Sequence, residues 1–178
     1  MRDVAARADV SATTLYNLYH TKDDLLLAAL RERIGESARL AVADAPQPGY
    51  AYLLAHIHHV AAHTRSSPRY VAAISQALFR ATPGDALVDV LLADLRDDIG
   101  RSLSQMLESG ELKATTDTLA LATRLTAVFW STFLLWNKGL IELSALEPTM
   151  RQAYLSTLIA CTQGPTRAAL ETQFEAGR

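Results

Sequence analysis

An all-α protein is predicted by three features of this sequence. Every apolar periodicity along its 178 residues is helical, recurring at i, i+3, i+4 and i+7. No run alternates apolar and polar residues between hairpin signals, so no strand is required. Helix punctuation recurs at fitting intervals: "APQPG" at 45–49, "TPGD" at 82–85, Gly110, and Gly164 followed by Pro165.

In chain order, a first helix is expected over about 2–8, with Val4, Ala5 and Ala8 on one face. "ADVS" interrupts it, and Ser11 is placed to N-cap a second helix that reaches about Tyr19. In "HTKDDLL", Thr21 caps a third helix and Asp24, three residues on, makes a capping box. Leu25, Leu26, Ala29, Leu30 and Ile34 carry that helix to about Asp44. The "APQPG" cluster is the expected domain boundary, dividing 1–44 from 45–178. Beyond it, helices are expected at about 50–65, 69–81, 85–109, 117–141, 148–162 and 165–176.

Composition bounds the function classes. At 49% hydrophobic and 20% charged, the chain can bury a core and is not of disordered type. A net charge of −2 argues against a broadly basic nucleic-acid coat while leaving room for a local footprint. Cys161 is the one cysteine, which excludes an intramolecular disulfide and a multi-cysteine zinc site and fits a reducing cytoplasm. Residues 1–20 carry charges and hydroxyls throughout, unlike a secretory signal. The most apolar stretch, "LTAVFWSTFLLWN" (125–137), lies between Arg124 and Lys138 and falls short of the roughly 20 residues of a membrane span. A buried helix is expected there, and no membrane partner.

The short second helix reads as a surface element. Leu15 and Leu18 or Tyr19 would face the first helix, leaving Ala12, Thr13, Thr14, Tyr16 and Asn17 to point outward. Thr and Asn can hydrogen-bond base edges, Ala and Thr methyls can contact thymine, and a Tyr hydroxyl can reach a phosphate. Lys22 stands in the first turn of the third helix, where free N–H groups already favour an anion. A helix, a turn and a reading helix form the helix-turn-helix arrangement of the major groove. A capped helical hairpin with no DNA role fits the spacing equally.

At these residues the sequence resembles the TetR family of bacterial transcriptional regulators. "VAARADVSATTLYNLYHTKDDLLLAAL" (4–30) follows the family's V-x-x-x-A-x-V-S-x-x-T-L-Y-x-x-[FY]-x-x-K-x-x-L-L. The resemblance implies backbone contacts from Arg2, Tyr16 and Lys22, and base or groove contacts from Ala12, Thr13, Thr14, Asn17 and Leu18. It makes Val4, Ala5, Val10, Leu15 and Tyr19 the small core between the two helices. The family has a further helix ahead of the stretch beginning at Arg2, so the reading segment is expected to be incomplete at its N-terminus. Asp9 stands where the family has a turn glycine, and Asp tolerates the left-handed conformation better than most residues. Arg2, Arg7 and Lys22 face Asp3, Asp9, Asp23 and Asp24 within 1–24, so the counterion-release contribution to DNA affinity is expected to be small.

For 45–178 the resemblance implies a ligand cavity among the helices and a homodimer, with 118–141 and 148–162 forming a four-helix bundle with a second copy. The candidate lining is Tyr52, His56, His59, Tyr70, Ile74, Leu78, Phe79, Leu103, Phe129, Trp130 and Phe133, each of which could instead be core. Apolar and aromatic residues with few charges point to a hydrophobic or amphipathic small molecule. His56, His59 and His63 share one helical face, but three ligands on one straight helix rarely converge on an ion. No metal or other cofactor is therefore expected, and no nucleophile–base set points to an enzyme. The expectation is a TetR-type repressor that binds operator DNA as a homodimer and is released by a ligand. The alternative is a helical ligand-binding or dimerising protein without DNA binding.

Overall fold

The computed structural model describes residues 2–177, apart from the side chains of Arg2, Asp3, Lys22 and Asp23. Among the described residues there is no strand, only an isolated bridge between Leu112 and Thr162, and the protein is all-α. The helices are α1 (Arg2–Arg7), α2 (Ala12–Leu18), α3 (Lys22–Asp44), α4 (Tyr50–Ser66) and α5 (Pro68–Leu78). They continue with α6 (Ala86–Val88), α7 (Asp94–Glu108), α8 (Thr118–Asn137), α9 (Leu146–Cys161) and α10 (Gly164–Ala176). A π turn, Asp89–Ala93, links α6 to α7 where a plain α-helix was expected. The chain forms two units, 1–36 and 37–178, described separately below.

In the first unit, local chemistry sets every boundary. The Val10 amide donates to the Ala5 carbonyl across Asp9, whose φ of 52° is left-handed, so α1 ends in a Schellman turn. Ser11 then accepts from the Thr14 amide at 3.0 Å and starts α2. The expected capping box opens α3: the Asp24 amide donates to Thr21 Oγ1 and the Thr21 amide to Asp24 Oδ2, both at 3.0 Å. The expected core is smaller than the sequence implied. Ala5 and Leu15 are buried and Tyr19 is half-buried, but Val4 and Val10 are 44% and 41% exposed. Leu18, at 66%, does not face α1. Two helices of six and seven residues present one inward position each, and the remaining apolar side chains have nothing to bury against.

The second unit begins inside α3 rather than at the 45–49 break, because Ser37 and Ala41 are already buried in its core. Its centre is α8, packed by α5, α7 and α9, with α4 against α7 and α9 and α10 against α9. Leu121, Leu125, Phe129 and Phe133 form the inward stripe of α8 and meet Leu53, Ile57, Leu103, Met106, Tyr154 and Leu158. By length and composition α8 could cross a bilayer; in this fold its stripe is core. The helix stops at Asn137, short of the expected 141. There Gly139, at φ 70°, allows the Leu140 amide to close a Schellman turn on the Leu135 carbonyl. Similarly, α5 ends at Leu78 rather than 81, since the Arg80 and Ala81 amides fold back onto Ala77 and Leu78 in tight turns.

Asp9 holds a conformation that glycine adopts without a Cβ penalty. Asp9→Gly is expected to slow amide exchange in α1 and α2 by about twofold to fivefold, and Asp9→Val to speed it. Hydrogen exchange followed by NMR checks both directions.

Candidate nucleic-acid interface and ring-lined core

The proposed reading face on α2 is a row of exposed side chains: Thr13, Thr14, Tyr16 and Asn17, with Ala12 half-buried beside them. Leu18 adds an apolar end to the row. Capping partly engages one member, for the Thr14 and Ser11 hydroxyls lie 2.8 Å apart. A hydroxyl can donate once and accept twice, so Thr14 keeps capacity for a second partner. Arg2 and Lys22, the expected phosphate-binding cations, have side chains outside the described residues. The described part of the face is therefore hydroxyl, amide and phenol rather than charge.

In the second unit the four histidines of α4 divide among different tasks. His59 Nε2 lies 2.7 Å from Asp44 Oδ2 and His63 Nδ1 2.8 Å from Ser37 Oγ, so both tie α4 to the end of α3. His58 Nδ1 lies 2.7 Å from Glu147 Oε1, and Arg65 donates to the other oxygen of that carboxylate at 2.8 Å. Burial would raise the Glu147 carboxyl, but hydrogen bonds from His58 and Arg65 hold it below the usual range. His59, expected to line a ligand cavity, is thus occupied with a tether. Among the described residues no three His, Cys, Asp or Glu side chains are grouped to hold a metal.

His56 is different. It is 8% exposed and lies between two near-parallel rings, Tyr52 at 6.1 Å and Phe129 at 6.4 Å between centroids. From Phe129 the ring contacts continue to Trp130 at 5.5 Å and Phe133 at 5.2 Å, and from Trp130 to Phe79 at 6.4 Å. The Trp130 indole N–H donates at 3.0 Å to the Leu91 carbonyl, inside the π turn. Six of the expected ligand residues, Tyr52, His56, Phe79, Phe129, Trp130 and Phe133, therefore meet in one cluster. Ile74 and Leu78 are buried on α5, Tyr70 is half-buried there, and Leu103 is wholly buried on α7. None of the eleven lines either of two open clefts, one of about 610 Å³ beside Arg96, Arg101 and Leu119, the other of about 330 Å³ beside Tyr50, His58 and Arg151.

Sequence reasoning missed the polar partners of this cluster. The Tyr52 hydroxyl donates to Asp98 Oδ2 at 2.7 Å, and Arg101 donates to Oδ1 of the same carboxylate at 2.9 Å. Asp98 stands in a run of three charges, "RDD", whose spacing carries no sign that one member turns inward. Burial, assisted by Asp98, pushes the Tyr52 and Tyr154 phenols well above their ordinary range. Among the described residues, Asn137 Oδ1 is buried and has no hydrogen-bond partner. By contrast Thr64, Ser75, Thr126, Thr132 and Thr162 all bond back to carbonyls of their own helices.

No protein-family model, curated protein or solved structure matches this chain.

Burial pushes the His56 imidazole below its ordinary value, while the Asp98 carboxylate pulls the other way more weakly. The unfolded chain then binds a proton near pH 6.5 that the folded core resists. His56 therefore costs no stability above about pH 6.5 and an increasing amount as pH falls from there through its lower folded-state pKa. Replacing it isolates this effect from the other histidines. The stability difference between His56→Phe and the parent protein is expected to shift in favour of the variant between about pH 7 and 5. Denaturant midpoints at each pH check it.

Proposed function

We propose that the protein is a ligand-responsive transcriptional regulator of TetR type, a repressor that reads operator DNA as a homodimer. The observation that carries this reading is the outward row Thr13, Thr14, Tyr16 and Asn17, set on a helix capped by Ser11 within a 27-residue stretch, 4–30, that follows the family pattern. In the major groove, Asn17 and the threonines would contact base edges and Tyr16 a phosphate. The exposed Leu119, Leu134 and Leu135 of α8 support a second copy as partner, since they gain from being covered.

The ring-lined core supports the effector half of the reading. A mostly apolar enclosure with a few polar groups is the usual make-up of a small-molecule site. Because α3 contributes residues to both units, a ligand preferring one arrangement of its 37–44 end would shift the population competent for DNA. It can do so only by as much as its affinities for the two arrangements differ.

Fluorescence anisotropy against labelled DNA from upstream of its own gene, across a salt series, tests the reading. Saturable binding to one palindromic segment, weakened by salt, is expected, with a sedimenting species of dimer mass. Asn17→Ala and Thr13→Ala should each weaken the preferred segment by about 5- to 100-fold relative to random DNA. Equal affinity for all sequences would remove the regulator reading and leave a helical ligand-binding or dimerising protein.

A further inference from the structure

The cleft of about 330 Å³ in the second unit is walled by four helices. They are the end of α3 at Asp44, α4 from Tyr50 to His58, α9 at Glu147 and Arg151, and α10 at Gln173. Its apolar wall is a face of α4, where Ala51 and Ala55, one turn apart, carry only methyl groups beside Leu54. Side chains this small leave room that longer ones would fill. The space falls at the lower end of small-molecule sites, which start at about 300 Å³.

The charges around the cleft are not equivalent. Both Glu147 oxygens are engaged, Oε1 lying 2.7 Å from His58 Nδ1 and Oε2 accepting from Arg65 at 2.8 Å. Asp44 Oδ2 lies 2.7 Å from His59 Nε2. Arg151 differs: its half-buried side chain donates to the neutral Gln173 Oε1 at 2.6 Å and ion-pairs with no carboxylate among the described residues. A guanidinium has five N–H donors in a planar fork, and a carboxylate can take two of them at once. The Gln173 contact holds that fork in one orientation, so little ordering remains to be done on binding.

We propose that this cleft binds a small monocarboxylate with an apolar body, the carboxylate on Arg151 and the body against Ala51, Leu54 and Ala55. A single negative charge matches the cleft's one guanidinium, whereas a dianion would meet Asp44 and Glu147 as well. The site shares no lining residue with the ring-lined core and does not depend on DNA reading.

An NMR titration of the full, isotope-labelled chain with benzoate, benzamide and benzylammonium tests this, because the three share a ring and differ in the head group. Benzoate is expected to shift the Arg151 side-chain N–H and the Ala51 and Ala55 methyl signals saturably, binding at least about tenfold tighter than benzamide. Benzylammonium should not saturate them. Arg151→Gln should remove the preference for benzoate over benzamide. Ala51→Leu leaves Arg151 and Gln173 untouched and should weaken benzoate by about fivefold or more through lost space. Equal binding of benzoate and benzamide would overturn the proposal, as would unchanged benzoate affinity in Ala51→Leu. Tighter binding of benzylammonium would overturn it in favour of a cleft governed by Asp44 and Glu147. Saturation by none of the three would remove the site altogether.

Discussion

The arrangement of the second unit depends on keeping one imidazole neutral in an apolar interior. His56 comes from α4, its neighbour Tyr52 from one turn earlier, and Phe129 from the middle of α8. For the three rings to lie nearly parallel, α4 and α8 must hold a fixed register. The Tyr52–Asp98–Arg101 chain then fixes α7 to the same point. A protonated ring there would have to be desolvated without a paired charge of its own, a cost far above that of burying a neutral one. The register of three helices and the protonation state of one side chain are thus a single constraint.

Around that constraint, the outer histidines act as ordinary tethers. His58, His59 and His63 hold α4 to α9 and to the end of α3 through groups near the surface. Pairs of this sort contribute modestly, because water and salt screen them. Their position matters more than their strength. They fasten the 37–44 segment of α3, the part of that helix belonging to the second unit, to the helix that carries His56.

Much of the fold could be read from the sequence because helix ends are decided locally. Ser11, the Thr21–Asp24 pair and the 45–49 break each act within four residues, and each defines an end in the structure. What escaped was decided by neighbours distant in sequence. Asp98 turns inward because Tyr52, 46 residues away, needs an acceptor, and Glu147 is shared by His58 and Arg65 from another helix. The π turn at 89–93 also has no local signature, although Trp130 from α8 bonds into it. The same logic explains the partial reading of the site. Ring residues named from their helical spacing as candidate lining lie together in the second unit, with Phe79 at 40% exposure, whereas Asp98 was not picked out as the partner of Tyr52. In the first unit, Val4 and Val10 looked like core because their pattern is apolar, yet helices of six and seven residues cannot enclose them.

The most direct measurement is an NMR titration of the imidazole nitrogens of His56, assigned by comparison with His56→Phe. The account predicts an imidazole that stays neutral to lower pH than a free one, because burial disfavours its charged form. A His56 resonance that titrates at or above about pH 6.5 would contradict it, for the ring would then be solvated and the three-helix register would not depend on it.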